Sequence, residues 1–226
     1  MKLRALNTRS WNMMNIRILA LVIAYMMFAG FDWETTDFTP VKDLKALEAI
    51  LNSSAAKIRT IQSDFIQRKQ LEYLDETIIS KGRFWFKKEN QLRWAYVEPF
   101  EYAIIISDGK FTIIDESEVS VHDIDSNQAF REINNLIINL VRGSLMEHDK
   151  FEIEAFENDT QYLVKLVPKD SNMKRVISNM EVYFDKKDLT VGKIVMHESE
   201  SDFTLITFTN KKLNEPIPDN IFSADF

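Results

Sequence analysis

Residues 82–99 read GRFWFKKENQLRWAYVEP, and this stretch decides the fold class. Successive side chains of an extended strand point to opposite faces, so the two Phe residues share one face of a first strand. After a turn at residues 89–90, the Leu, Trp and Tyr of a second strand share one face in the same way. The stretch therefore predicts a pair of adjacent strands that presents five large apolar or aromatic side chains on one side: Phe84, Phe86, Leu92, Trp94 and Tyr96.

The same two-residue alternation recurs along the rest of the chain. Segments rich in Ile, Phe, Tyr, Trp and Thr, each bounded by turn residues, predict eleven short strands. These segments lie near residues 61–73, 78–88, 91–97, 102–107, 110–115, 118–124, 151–157, 160–167, 177–185, 192–198 and 203–209. Asp108-Gly109 is the strongest hairpin signal among the turns. Consecutive strands with tight connections form an antiparallel sheet, and a sheet of this size curls, which protects its edges.

Two segments have the three- and four-residue spacing of amphipathic helices. The first covers about residues 40–60, with Thr39-Pro40 supplying its cap and its first helical residue. The second covers residues 126–142. Its apolar stripe consists of Phe130, Ile133, Leu136, Ile137 and Leu140. Such a stripe must be covered in water, and the concave face or mouth of a curled sheet is the natural place to bury it.

These elements predict an α+β fold, an incomplete and unclosed antiparallel β-barrel of about eleven strands covered by a helical lid. Half-open barrels of this kind commonly hold an apolar ligand. An ordinary packed core would show the same five side chains, and alternation alone does not separate the two interpretations. The aromatic content of 12% favours a pocket, because side chains or a ligand must fill the interior of a curled sheet.

The first 30 residues differ from the rest of the chain. Four basic residues and no acidic ones lie there, before an apolar run at residues 18–29, ILALVIAYMMFA. This layout is typical of a secretory signal peptide, and the run is shorter than the ~20 residues of a membrane span. An uncleaved anchor is the alternative. Removal of residues 1–30 changes the net charge from −7 to −11, which disfavours nucleic acid and anionic headgroups as partners. The expected organisation is a signal peptide, 1–30, and a single domain, 31–226.

No pattern in the chain indicates catalysis or metal binding. The three histidines lie far apart, the absence of cysteine excludes thiolate sites and disulfides, and only five glycines are available for a phosphate-binding loop. Composition alone does not exclude a hydrolase with paired carboxylates, but Asp and Glu in strand turns are usually solvated. We therefore expect no catalytic residue, no metal and no cofactor, and do not expect an enzyme.

An ordered set of short motifs also runs through the chain. They are Ile61-Gln62-Ser63-Asp64-Phe65 with Gln67, Gly82, Phe84-Trp85-Phe86-Lys87, Leu92-Arg93-Trp94, Pro99 and Ile106-Ser107-Asp108-Gly109-Lys110. In this set and order the chain resembles the LolA-like periplasmic carriers of outer-membrane lipoproteins, over essentially all of residues 31–226. The resemblance implies an unclosed barrel with a helical lid. It also implies a shuttle that takes acylated lipoproteins from an inner-membrane ABC transporter to an outer-membrane receptor.

The resemblance further implies roles for individual residues. The five side chains of the 82–99 stretch would line the acyl-chain cavity, and the helix at 126–142 would be the lid. Family members often carry Arg-Pro after the Phe-Trp strand, and that Arg bonds the lid in the empty state. Here Lys88 and Glu89 stand in those places, so the latch would come from Lys88 or from Arg93, and lysine lacks the planar fork of arginine.

The lack of cysteine also bears on which member of the pathway this chain resembles. The outer-membrane receptor has a similar barrel but is anchored through an N-terminal cysteine, which this chain does not have. The expectation is therefore a soluble, monomeric carrier in the periplasm. Two alternatives stay open: a carrier of another lipid, such as a glycolipid or a polyene, and a barrel-type sensor that binds protein.

Overall fold

The computed structural model describes residues 37–74, 76–88, 90–115, 118–124 and 149–224. The chain divides into two units, residues 1–37 and 38–226, and every helix and strand described below belongs to the second unit. The predicted signal peptide and the predicted lid helix at 126–142 lie outside the described residues. So do the five residues assigned to the lid stripe, which are Phe130, Ile133, Leu136, Ile137 and Leu140.

Twelve strands of the described chain form one antiparallel sheet. In chain order they are β1 Thr39–Pro40, β2 Thr60–Gln70, β3 Ile78–Lys87, β4 Gln91–Glu98, β5 Tyr102–Ser107, β6 Lys110–Asp115, β7 Glu118–Asp123, β8 Phe151–Glu157, β9 Gln161–Pro168, β10 Asn179–Asp185, β11 Val191–His197 and β12 Phe203–Leu213. Across the sheet the order is β1-β8-β9-β10-β11-β12-β2-β3-β4-β5-β6-β7. Within the described residues β1 and β7 are edges that do not pair with each other, so the predicted unclosed antiparallel architecture is confirmed.

All eleven predicted strands are present, and the sheet contains one more. The additional strand is β1, which pairs with the last two residues of β8. The prediction that Thr39-Pro40 begins the first helix was therefore wrong. The helix, α1, covers Leu44–Lys57, and its N-cap is Asp43, whose carboxylate accepts a hydrogen bond from the Ala46 backbone N–H at 3.0 Å. An Asp cap satisfies an amide that has no partner inside the helix, whereas pairing with β8 holds Thr39-Pro40 extended.

The β5–β6 connection confirms the strongest turn signal of the sequence. Asp108 and Gly109 have φ values of 51° and 72°, and Ser107 pairs with Lys110 on either side of them. Two successive positive φ values define the tight hairpin turn whose twist matches that of the flanking strands. The turn therefore fixes the register between β5 and β6.

The sheet has two faces, and α1 covers part of one of them. Leu47 and Leu51 of α1 pack on a buried cluster of strands β9, β10 and β11 formed by Val164, Leu166, Met180, Val182, Phe184 and Ile194. We call this side of the sheet the inner face. Ile194 lies directly opposite Ile206 of β12, so the inner face continues from β11 through β12 into β2. None of the helices in the described part of the chain is long and apolar enough to cross a membrane.

The C-terminal segment covers part of the opposite, outer face. A single-turn 3-10 helix, Asp219–Phe222, places Phe222 in a buried position with 4% of its surface exposed. Lys87 of β3 forms an ion pair with Asp219, and Thr60 Oγ1 donates a hydrogen bond to the Glu215 carbonyl at 2.6 Å. Strands β2 and β3 thus carry side chains that hold the chain terminus on the outer face. A second short helix, α2 (Ser171–Lys174), connects β9 to β10.

Candidate functional site

The structure places all five predicted cavity residues together on the inner face. Phe86 pairs with Leu92, Phe84 pairs with Trp94, and Tyr96 lies opposite Gly82 across the β3–β4 ladder. Residues that pair directly across an antiparallel ladder point to the same face. The five side chains consequently belong to one apolar cluster that spans two adjacent strands.

The cluster extends well beyond the two strands that the sequence singled out. Further members from β2, β5, β6 and β12 include Ile61, Phe65, Ile104, Ile106, Phe111, Ile113, Ile206 and Phe208. The alternation signal missed the β5 members because Ile104, Ile105 and Ile106 are consecutive, so neither face of that strand is marked by polar residues. Phe208 joins through the long-range β12–β2 pairing, which no local pattern reveals.

Trp94 lies at the centre of an aromatic group on the inner face. Its ring centroid is 4.6 Å from that of Phe65, 5.5 Å from that of Phe84 and 5.8 Å from that of Phe208. Phe65 also meets the Tyr96 ring edge-on at 5.2 Å. Offset and edge-to-face contacts at these distances stabilise aromatic pairs beyond the simple burial of area. The group thus joins β12, β2, β3 and β4 into one aromatic surface.

Gly82 is the residue that makes room for this group. A Cβ atom at position 82 would lie 2.2 Å from the carbonyl oxygen of Ala95 and 2.3 Å from Cζ of Phe65. Both distances are far inside van der Waals contact. Glycine inside a strand often marks such a close approach, and the ladder between β3 and β4 is also irregular at this position. The Phe65 ring occupies the space that a side chain would otherwise need.

Exposure divides the five predicted residues into two groups. Leu92, Phe86 and Phe84 are 0%, 2% and 4% exposed, so they form part of the packed core. Trp94 and Tyr96 are only partly buried. These two aromatic side chains are therefore the members of the set with surface available to a ligand.

The inner face becomes more polar from the Leu92 row toward the Tyr96 row. Residues that lie directly opposite one another on successive strands form rows across the face. The row through Leu92 contains Ile61, Phe86, Ile106 and Phe111 and reaches His122 on β7, whereas the row through Tyr96 runs from Phe65 and Gly82 to Tyr102 and Asp115. The Tyr96 hydroxyl donates a hydrogen bond to Gln67 Oε1 at 2.9 Å. Burial raises the pKa of Tyr96 and also that of Tyr102, so both phenols are neutral at ordinary pH. The face thus has an apolar end and an end with uncharged hydroxyl groups.

The two residues considered as a lid latch make contacts elsewhere. Lys88 Nζ donates to the carbonyl oxygen of Ala56 at 2.8 Å, in the last turn of α1, where a cation also favours the helix dipole. Arg93 lies on the outer face and donates to the carbonyl oxygens of Ile221 and Ser223 at 3.2 and 3.4 Å. Partial burial lowers the pKa of Arg93. A latch to the lid stays a prediction for both, because the lid segment lies outside the described residues.

An open antiparallel sheet with one large apolar, aromatic face defines the class of half-barrel proteins that carry apolar ligands. A protein-family profile narrows this class. The profile described as "Outer membrane lipoprotein carrier protein LolA" matches residues 56–225, well over half of the chain, and the chain belongs to this family. The fold and the family together are those of a lipid- or lipoprotein-binding carrier. No curated protein sequence matches the chain.

Several solved structures resemble this chain in fold at low sequence identity. MucB is 12% identical with a TM-score of 0.52, and the match covers 82% of this chain and 64% of MucB, so this chain spans less than two thirds of that protein. An uncharacterized conserved protein from Thermus thermophilus is 9% identical with a TM-score of 0.50, covering 79% and 92% of the two chains. A LolA superfamily protein from Nitrosomonas europaea is 11% identical with a TM-score of 0.40, covering 78% and 97%. At these identities the likeness concerns the fold alone.

Proposed function

We propose that this protein is a periplasmic carrier that binds the acyl chains of lipoproteins released from the inner membrane and shuttles them to an outer-membrane receptor. The observation that carries the proposal is the aromatic inner face of an unclosed sheet in a LolA-family chain. Trp94 and Tyr96 would contact the acyl chains directly, and Phe84, Phe86 and Leu92 would support them from the core. An inner-membrane ABC transporter would load the carrier.

The energetics of an acyl chain in water explain why an apolar face of this size is needed. Each methylene that leaves water contributes about 0.8 kcal/mol, so a chain of about 15 carbons represents about 12 kcal/mol of transfer free energy. Two or three such chains could not cross an aqueous compartment unprotected. Apolar residues of six strands form the inner face, and its partly buried members, among them Trp94, Tyr96 and Ile104, would supply the surface that replaces part of the membrane environment.

A lid over this face belongs to the same proposal. Ile124, the last described residue before the predicted lid segment, is partly buried against the inner cluster. Its backbone N–H donates to the Gly109 carbonyl oxygen at 3.0 Å. The chain therefore leaves the sheet beside the candidate site, which supports a covering role for the apolar stripe at Phe130–Leu140. Acyl chains would enter when this cover moves away.

Depletion of the protein in its native host tests the proposal. Inner and outer membranes would be separated after depletion, and outer-membrane lipoproteins quantified in each fraction. The proposal predicts that these lipoproteins accumulate in the inner membrane, and that the native gene in trans restores their distribution. An unchanged distribution in depleted cells would contradict the shuttle role.

The cargo class is tested separately by extraction. Protein purified from the exported fraction without detergent would be analysed by mass spectrometry for bound molecules. Acylated protein or lipopeptide supports the proposal, whereas a glycolipid or a polyene identifies a carrier of another lipid. A bound protein that lacks acyl chains and stays bound after delipidation would identify a protein-binding sensor instead.

A further inference from the structure

A pocket of about 200 Å³ opens on the outer face of the sheet, and we call it the outer pocket. Its walls come from three adjacent strands, β12, β2 and β3. Trp85 packs against the outer-face cluster and pairs with Gln62 across the ladder, and Arg83 pairs with Asp64 two residues away. The outer pocket therefore lies on the opposite side of the sheet from the candidate acyl-binding face.

A β-bulge in β12 builds one wall of the outer pocket. The β12–β2 ladder shifts register between Thr209 and Lys212, and Asn210 has a φ of 53°. A bulge changes the direction in which the neighbouring side chains point. Here the Asn210 amide donates a hydrogen bond to Asp64 Oδ2 at 2.8 Å, and Lys212 lines the pocket. The bulge thus supplies an ammonium group to the pocket and an amide partner to its carboxylate.

The outer pocket contains more hydrogen-bond donors than the described residues use. Arg83 is exposed and forms no hydrogen bond or ion pair with any of them, although Asp64 lies opposite it. The indole N–H of Trp85 makes no hydrogen bond within the described part of the chain either. Lys212 pairs only loosely with Glu215, at 3.6 Å, and both side chains are more than half exposed. These groups all donate, so they are suited to a ligand that accepts.

The C-terminal segment of the chain shows how the same surface binds an acidic segment. Lys87, on the same face of β3, forms an ion pair with Asp219 of that segment. Gln62, within the outer pocket, donates a hydrogen bond from Nε2 to the Pro216 carbonyl oxygen at 3.4 Å. The pocket therefore continues the surface that the C-terminal segment occupies, and Arg83 is a cation that the described part of this segment does not contact.

We propose that the outer pocket binds the carboxylate of an Asp or Glu side chain on an extended acidic segment of a partner protein. The planar guanidinium of Arg83 would hold the carboxylate with two N–H groups, Lys212 would add a second positive charge, and Trp85 would donate its indole N–H. A pocket of this size suits one side chain, since sites for cofactors and drug-sized ligands have volumes of about 300–1,000 Å³.

Charge favours this partner over others. The chain has a net charge of −7, and an acidic protein is repelled by most of its surface. In the outer pocket two cations, Arg83 and Lys212, outweigh the one carboxylate of Asp64. An acidic segment would therefore be directed to this place and this orientation. The inference goes beyond the proposed function, because a partner could dock on the outer face while cargo stays on the inner face.

The test uses a peptide with a single charge. The probe is Ac-Gly-Ser-Glu-Ser-Gly-NH2, and the same peptide with Gln in place of Glu is its neutral control. Each would be titrated into the 15N-labelled full chain while the indole N–H signal of Trp85, identified by its loss in Trp85→Phe, is followed by NMR. We expect a millimolar dissociation constant for the Glu peptide and at least about 10-fold weaker binding of the Gln peptide, because charge-assisted hydrogen bonds are the stronger ones.

Two variants and one control assign the contacts. Arg83→Gln should weaken binding of the Glu peptide at least about 10-fold, and Lys212→Gln about 3-fold, because lysine contributes charge without the paired N–H groups. Lys81→Gln removes the same charge from β3, but Lys81 lies outside the pocket and pairs with Glu98 at 2.8 Å. Its affinity should stay within about 2-fold of the natural protein. The indole signal of Trp94, on the inner face, should not move.

Three results would overturn the inference: a Trp85 signal that does not move at about 20 mM Glu peptide, equal binding of the two peptides, or normal binding by Arg83→Gln. Each of them leaves acyl binding on the inner face intact. Arg83→Gln should bind a diacylated lipopeptide as the natural protein does, and a loss there would contradict the separation of the two sites. A natural protein that binds the Glu peptide but no lipopeptide would contradict the proposed function alone.

Discussion

Replacing Trp94 by glutamate distinguishes two interpretations of the inner face, a ligand-binding surface and an ordinary packed core. The substitution removes three ring contacts, with Phe65, Phe84 and Phe208. Aromatic pairs contribute about 0.5–1.5 kcal/mol each beyond burial, so the loss from these three contacts is about 1.5–4.5 kcal/mol. Small domains have stabilities of about 5–15 kcal/mol, and position 94 is only partly buried, so the new carboxylate can reach water. Trp94→Glu should therefore stay folded at low temperature.

The same substitution should weaken acyl binding much more than folding. A carboxylate keeps its hydration shell, and we expect it to displace the acyl chain from contact with the face over about three methylenes. At about 0.8 kcal/mol per methylene the loss is about 2.4 kcal/mol, which corresponds to about 50-fold weaker binding. Unfolding would be followed by circular dichroism in urea, and binding by calorimetry with a synthetic diacylated lipopeptide.

Trp85→Glu is the matched control. Trp85 is also partly buried but points to the outer face, where it pairs across the ladder with Arg93. This variant should lose some stability, and its affinity for the lipopeptide should stay within about 2-fold of the natural protein because the inner face is unchanged. Near-normal binding by folded Trp94→Glu, or equal binding losses in the two variants, would show that Trp94 belongs to a plain core and refute the reasoning.

Three further predictions concern packing, charge and the lid. Gly82→Ala should lower the free energy of unfolding by at least about 2 kcal/mol, because its Cβ would overlap a backbone carbonyl and the Phe65 ring; a loss below about 1 kcal/mol in urea titrations would contradict this. Burial raises the pKa of Asp188, but hydrogen bonds from the hydroxyl and backbone N–H of Thr190, together with the charge of Lys211, outweigh that effect and hold the pKa below its usual 3.8. The contribution of this carboxylate to the free energy of unfolding is complete above pH 3.8 and is lost as the pH falls below that value. Lys211→Met should therefore flatten the stability–pH curve between about pH 5 and 2. An unaltered slope would count against the Asp188–Lys211 pair. Leu136→Glu should weaken lipopeptide binding at least about 10-fold with little change in the urea midpoint of the sheet; unaltered binding would remove the predicted stripe from the site.

The β3–β4 stretch could be interpreted correctly from sequence because its two faces differ in chemistry. Arg83 and Arg93 alternate with the large apolar residues, so a period of two assigns every side chain to a face. Strand β5 has no such contrast. Its Ile105 is buried on the outer face in a cluster with Ala95, Ala103 and Ile114, where Ala224 of the C-terminal segment also packs. Because β5 is covered on both faces, its sequence does not show which of its side chains belong to the site.

Other features of the site depend on contacts between distant parts of the chain. Phe208 contacts Trp94 only because β12 pairs with β2, and neither segment specifies the other locally. Strand β1 contains two residues, too few to show any period. Sequence patterns predicted the unclosed antiparallel sheet and five residues of its inner face. The other residues of that face could not be predicted, because strand pairing between distant parts of the chain brings them there.

The central claim is that acyl chains lie on the inner face around Trp94. The most direct measurement loads the purified protein with a diacylated lipopeptide that carries a diazirine in one acyl chain, followed by illumination and peptide mapping by mass spectrometry. We predict adducts on inner-face residues of β2 to β6 and β12, centred on Trp94, Tyr96 and Ile104. Adducts that cluster instead on the outer face around Trp85 and Ala95, or an absence of adducts at saturating lipopeptide, would contradict the claim.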